Sequence, residues 1–307
     1  MAAEMNQLRD GTLRWLAANA SSFTLPVEDA SEGDIQLDGR RKAFGELALA
    51  CMLTARHPTL RASPELATMA HHVSATAAEP SFSFDMMRRP NLFPLYVMVM
   101  LALDATGVDV RALRASLQRI LDYGFMDAIE RTPWNQIDMK YYLDLGGFRD
   151  RFASYESLFR HSSAYLLPSI PHLRNLDVYA LTHILFHLAD FGRRDLRPIL
   201  GTRFEETVEY TTVLLGAYTH ARDWDLTAEL LICCACLGCR AHPLIDLAWE
   251  ALCAAQTPAG DLPSRYFDVQ SPELASPDTA AAYVRKINYH PTLVTLLATM
   301  SFEVAPS

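Results

Sequence analysis

The sequence predicts an all-α protein, a ring of about six helical hairpins of the (α/α)6 toroid type, on three observations. Apolar residues recur at helical spacing along most of the 307 residues, and no alternating strand interrupts them. Segments apolar on every side alternate with segments that carry one polar face. An unpaired helix opens the chain and another closes it, so each can complete the other's pair. An open α-solenoid is the alternative, but a solenoid needs polar capping repeats, which the sequence does not show.

Turn signals at Pro58, Pro80, Pro90, Gly107, Pro133, Gly146, Pro168, Gly192, Gly238 and Pro258 divide the chain. Between them the spacing predicts helices over 4–18, 40–56, 64–76, 92–104, 110–123, 137–145 and 155–165. The series continues over 176–191, 196–217, 226–237, 243–255 and 291–302, with a short extra helix over 278–286. Stretches 44–53, 95–103, 226–237 and 293–297 are apolar nearly all round, which marks buried helices. Stretch 110–123 is amphipathic instead, its apolar pattern broken by Arg111, Arg114, Gln118 and Arg119. The buried members begin near 40, 91, 137, 176, 225 and 290, a divergent repeat of supersecondary units within one domain spanning 1–307.

Composition narrows the function. A net charge of −9 with no clustered Lys and Arg argues against nucleic acid as a partner. The longest apolar run, 95–103, is about half of what a bilayer requires, and the first nine residues lack a signal-peptide pattern, so a cytoplasmic protein is expected. Four of the six cysteines crowd into 233–239, which is no disulfide framework. Cys236 and Cys239 have metal-ligand spacing, but Leu230, Leu231, Ile232 and Leu237 around them are core residues and a second Cys pair is missing. Neither a nucleophile elbow nor a phosphate-cradling glycine loop is present.

The most specific stretch is 175–192, with Asn175 as the expected N-cap and Gly192 as the expected terminator. At about 100° per residue, Tyr179, His183, Phe186, His187 and Asp190 share one stripe. That stripe contains no Lys, Arg, Glu or Gln, so it reads as the lining of a wet cavity more than as a solvated face. His183, His187 and Asp190 stand at i, i+4 and i+7 and can converge on one substrate or ion. No cofactor is favoured. Zinc suits these donors, with His290 as the ligand from another helix. Without a metal, either histidine can move protons near neutral pH.

Three further places carry candidates. Asp225 and Glu229 stand four apart at the start of a buried helix, either as a cap with a dipole-stabilising acid or as paired carboxylates facing a pocket. Asp144 lies on the helix over 137–145, where Lys140 one turn earlier offers an ordinary ion pair. His290 precedes Pro291, which is expected at the first position of the last helix and so places His290 on its N-terminal rim.

The segment Gln256-Thr-Pro-Ala-Gly260-Asp-Leu262 resembles the Gln-x-x-x-Gly-x-Trp repeat of terpenoid-cyclase-like toroids, with Leu262 in the Trp position. Class II cyclases of that kind protonate an alkene with an Asp-x-Asp-Asp motif. Asp223-Trp-Asp225-Leu226 matches its first and third positions and departs at the fourth. Stretches 177–192 and 289–297 are similar to an actinobacterial family found near natural-product biosynthetic genes. The second resemblance implies a setting, specialised metabolism, and no reaction; with the candidate residues above, the expected function is an enzyme acting on a small molecule or peptide-like intermediate by acid–base chemistry. The alternatives are a class II cyclase-like enzyme, a metal-dependent hydrolase or lyase, and a non-catalytic partner-binding scaffold.

Overall fold

The structure, a computed structural model, describes residues 2–26, 35–89 and 92–304. Pro90 lies outside them. Among the described residues every regular element is helical. In chain order these are α1 (Ala2–Ala18), α2 (Ile35–Ala55), α3 (Pro64–Ala78), α4 (Pro80–Arg88), α5 (Phe93–Ala105), α6 (Arg111–Asp122) and α7 (Pro133–Gly146). There follow α8 (Tyr155–Arg160), α9 (Ser163–Leu166), α10 (Asn175–Leu188), α11 (Arg197–Leu200), α12 (Phe204–His220), α13 (Trp224–Cys236), α14 (Pro243–Ala255) and α15 (Pro277–Glu303). None is long and apolar enough to cross a membrane.

The expected helices are present, and the departures fall at proline, glycine and serine. Pro80 starts a helix, because proline lacks only an N–H that the first turn leaves unpaired anyway. Expected helix 196–217 divides at Gly201, whose φ is +55°, and 155–165 divides at Ser162. The largest correction is α15. Ser276 accepts a hydrogen bond from the Thr279 amide and Pro277 follows it, so the helix begins there and runs through Pro291 without a break. His290 is therefore mid-helix and sits on no N-terminal rim.

The chain divides into two compact units. One holds Leu16–Glu130 and Met139–Phe152. Its centre is α2 against α5, each buried along most of its length. Gly45 permits this close approach, since a Cβ there would stand 2.9 Å from the Met98 side chain. Helix α6 buries only Leu117 and Ile120, as an outer amphipathic helix should.

The other unit holds Met1–Trp15, Arg131–Asp138 and Ala153–Ser307. Its axis is α13, buried at every position from Leu226 to Cys236 and packed on α15, α12, α10 and α14. Three of the four clustered cysteines, Cys233, Cys234 and Cys236, belong to that core. Burial pushes the thiols of Cys233, Cys234 and Cys236 well up, which keeps them neutral and unreactive. The glutamine–glycine segment ties this unit to α1. Gln256 Nε2 donates to the carbonyls of Leu8 (3.0 Å) and Gly260 (2.9 Å). Gly260, at φ +101°, brings its backbone so close to α1 that a Cβ would lie 2.5 Å from the Gly11 carbonyl oxygen. Leu262, two residues further on, is fully buried.

Candidate active site

Ionisable side chains of this second unit come together from three whole helices and from the part of α7 that ends at Asp138. α7 supplies Asp138, α10 supplies Tyr179, Thr182, His183 and His187, α13 supplies Asp225 and Glu229, and α15 supplies His290. The long-range packing of α13 on α10 and α15 makes this possible.

Asp138 receives both histidines of α10. His183 Nδ1 lies 2.9 Å from one carboxylate oxygen and His187 Nδ1 lies 2.7 Å from the other. Burial works to raise the Asp138 carboxyl, but the two imidazoles outweigh it and hold the group well below the usual carboxylate range. The Trp134 ring meets His183 edge-on at 5.3 Å, and Phe186 and Phe191 flank His187. His187 is 1% exposed and His183 30%, so the pair leads from the interior toward solvent.

Asp225 receives one imidazole and one phenol. His290 Nδ1 lies 2.6 Å from Oδ1, and the Tyr179 hydroxyl donates to Oδ2 at 2.7 Å. Burial and the Asp225 carboxylate push the Tyr179 hydroxyl up and keep it protonated as a donor. One turn along α13, Glu229 is buried at 1% exposure and hydrogen-bonds the Thr182 hydroxyl at 2.5 Å. Desolvation pushes the Glu229 carboxyl up, opposed by His183, assisted by the Asp225 charge and opposed again by His290. Glu229 thus feels both histidine groups and joins them into one cluster.

Two sets of side chains have ligand geometry. In each of Asp138–His183–His187 and Asp225–Glu229–His290, the nitrogen and oxygen donor atoms all lie within 4.8 Å of one another. Imidazole with carboxylate is a donor set that fits zinc and its neighbours.

Of the seven residues singled out from sequence, five are in this cluster: His183, His187, Asp225, Glu229 and His290. Asp190 is elsewhere. Helix α10 ends at Leu188, and the Phe191 amide bonds the Phe186 carbonyl while the Asp190 amide bonds that of His187. This is a Schellman closure with Asp190 as its left-handed residue, at φ +47°, so Asp190 lies beyond the helix whose stripe carries the two histidines, and its charge acts on the Cys236 thiol. Asp144 is exposed in the other unit, where Lys140 Nζ pairs with it at 3.3 Å. The N-cap of α13 is Asp223, which accepts from the Leu226 amide and from Arg265, and this leaves Asp225 for the pocket. Nor is Asn175 a cap. Asp177 accepts the Arg174 amide instead, and Asn175 is the first helical residue.

Asp138, Tyr179 and Thr182 complete the cluster and were not singled out. Tyr179 stands on the histidine stripe and could have been found there. Asp138 gives no local signal, because its partners lie 45 residues and more away.

Fold and site together define an all-helical protein with a histidine–carboxylate cluster set among buried helices. The chain belongs to the family described as "Domain of unknown function (DUF6895)", whose model matches residues 9–300. No curated protein and no solved structure matches it.

Proposed function

We propose that the chain is an enzyme using general acid–base catalysis on a small-molecule or peptide-like intermediate, with His290 as the proton-transferring group. The observation that carries this is the Tyr179–Asp225–His290 chain. One oxygen of Asp225 takes the His290 Nδ1 contact and the other takes the Tyr179 hydroxyl, so the carboxylate is fixed and in turn fixes the ring. A carboxylate on Nδ1 sets the tautomer and orientation of an imidazole and stabilises its charged form. Proton exchange with a substrate then falls to Nε2. Glu229, one turn from Asp225, supplies a second carboxyl on the same side of the cluster.

The source of these residues supports the same reading. α7, α10, α13 and α15 correspond to four of the six helices that the sequence assigns to the inside of a ring. The resemblance to cyclase-like toroids and to a family near biosynthetic genes supplies the setting, specialised metabolism. Asp225 as an alkene-protonating acid, the cyclase alternative, fits less well, since one of its oxygens accepts the Tyr179 hydroxyl and the other is paired with the His290 ring.

The test is His290→Gln in the source organism, with metabolites compared between strains that accumulate equal amounts of folded protein. Loss of a product with build-up of its precursor is expected. An unchanged metabolite profile would instead make the chain a binding scaffold.

A further inference from the structure

We infer that Asp138, His183 and His187 form a binding site for one divalent cation of the zinc class, with Asp138 as a ligand. This rests on the cluster being an active centre, and it gives the second half of that cluster its task.

The geometry is close to what such an ion requires. Two donors each about 2.1 Å from a tetrahedral ion stand roughly 3.4 Å apart. The His183 and His187 Nδ1 atoms are 2.9 and 2.7 Å from the Asp138 oxygens, so the donors need to open by only about 0.5 to 0.7 Å to admit it. His183 and His187 are four apart on one helix and Asp138 comes from another, which sets three donors around a common focus. Three protein ligands leave a fourth position for water or substrate, the arrangement of catalytic rather than structural sites. The exposure of His183, at 30%, gives that position a route to solvent. Trp134, Phe186 and Phe191 pack against the two imidazoles and hold their orientation, as the shell of a metal site must.

Charge points the same way. Among the described residues, the side chains that act on Asp138 are His187 and His183, and those that act on Glu229 are His183, Asp225, His290 and Thr182. Neither set contains Lys or Arg. The charges that act on the Asp138 and Glu229 carboxylates in a favourable sense are therefore those of imidazoles, and a dication beside Asp138 would add to that balance. The neighbouring trio is the poorer site. Its Asp225 is committed to both His290 and Tyr179 and its Glu229 to Thr182, whereas both Asp138 contacts are with prospective fellow ligands.

The experiment uses the full chain, stripped with a chelator, exchanged into clean buffer and titrated with Zn2+, with bound metal counted after gel filtration. About one equivalent per chain is expected. Co2+ in its place should show the visible bands of a four-coordinate site. His187→Ala and the near-isosteric Asp138→Asn, each checked by circular dichroism for a folded helical chain, should weaken binding by about tenfold or more. His290→Gln should bind as the wild type does. Failure of the wild type to take up stoichiometric zinc overturns the inference, and so does undiminished binding by both ligand variants, which would move the metal to another site. The two proposals fail separately. Zinc bound with a silent His290→Gln leaves the metal site without the base, and no zinc with an inactive His290→Gln leaves the base without the metal.

Discussion

Two buried polar clusters share helix α15, and they are built on opposite rules. Asp261, 2% exposed, is held by the Asn288 side-chain amide at 2.7 Å and by the Thr257 hydroxyl, while Asn288 also accepts the Ser264 amide. Among the described residues, the hydrogen-bond partners of that carboxylate, Thr257 and Asn288, are neutral groups. Two residues along the helix, His290 faces Asp225, and across the cluster His183 and His187 face Asp138. Here the partners are imidazoles, whose ring nitrogens donate or accept according to tautomer and can ligate a metal. A carboxylate among fixed neutral donors ties backbone together, and one among imidazoles can move protons or hold ions. The two groups differ in their partners and also in exposure, since Asp261 is buried while Asp225 and His290 are half-buried.

The sharpest way to break this contrast is Asp225→Asn. The amide keeps the shape but cannot hold His290 in the same tautomer, so product formation should fall by about 10²- to 10⁴-fold. Stability, followed by urea unfolding, should change by no more than about 1 kcal/mol, because the site is partly open to solvent. A variant that loses several kcal/mol and retains activity would put Asp225 in the same class as Asp261.

The opposite pattern is expected around Asp261. Gly260→Ala meets the Gly11 carbonyl and a positive φ together, and should cost about 3 kcal/mol in urea unfolding. Asp261→Ala should cost about 2 kcal/mol by leaving the Asn288 amide and the Thr257 hydroxyl without their acceptor. In both variants the protein that remains folded should keep its specific activity, measured per folded molecule. Full stability in Gly260→Ala would mean that α1 can move away from the loop.

The same division governs what sequence alone revealed. Helix positions were legible because burial of a helix writes a 3.6-residue period into adjacent residues. The histidine stripe, Asp225 and Glu229 were legible too, as polar groups breaking an apolar pattern. Asp138 was not, since one acid on a helix looks the same whether it meets solvent or two histidines from far along the chain. Asp190 was misplaced because Gly192 looks like the helix terminator, while the left-handed turn is made by Asp190 and Phe191. His290 was put on a rim because Pro291 has the signature of a helix start. The start lies at Ser276-Pro277, and α15 absorbs the proline. Local patterns report caps and periods, and tertiary partners decide which of two plausible caps is used.

The smallest expected effect tests the rule at the surface, at the start of the helix that carries both histidines. Asp177 accepts from the Arg174 guanidinium and from its backbone amide, and these contacts lower its carboxyl to about 2. A folded-state value below the unfolded one, about 3.9, means that the contribution is complete above pH 4 or so. It is lost as pH falls toward about 2, because the unfolded chain takes up the proton first. Asp177→Asn should therefore lower the urea stability at neutral pH slightly and flatten its pH dependence between about 4 and 2 by the same small amount, since the pair is exposed and screened. Product formation at neutral pH should match that of the wild type. If activity falls with Asp177→Asn, the capped first turn of α10 sets the position of His183, and the contrast between structural and chemical carboxylates would need a third, positioning class.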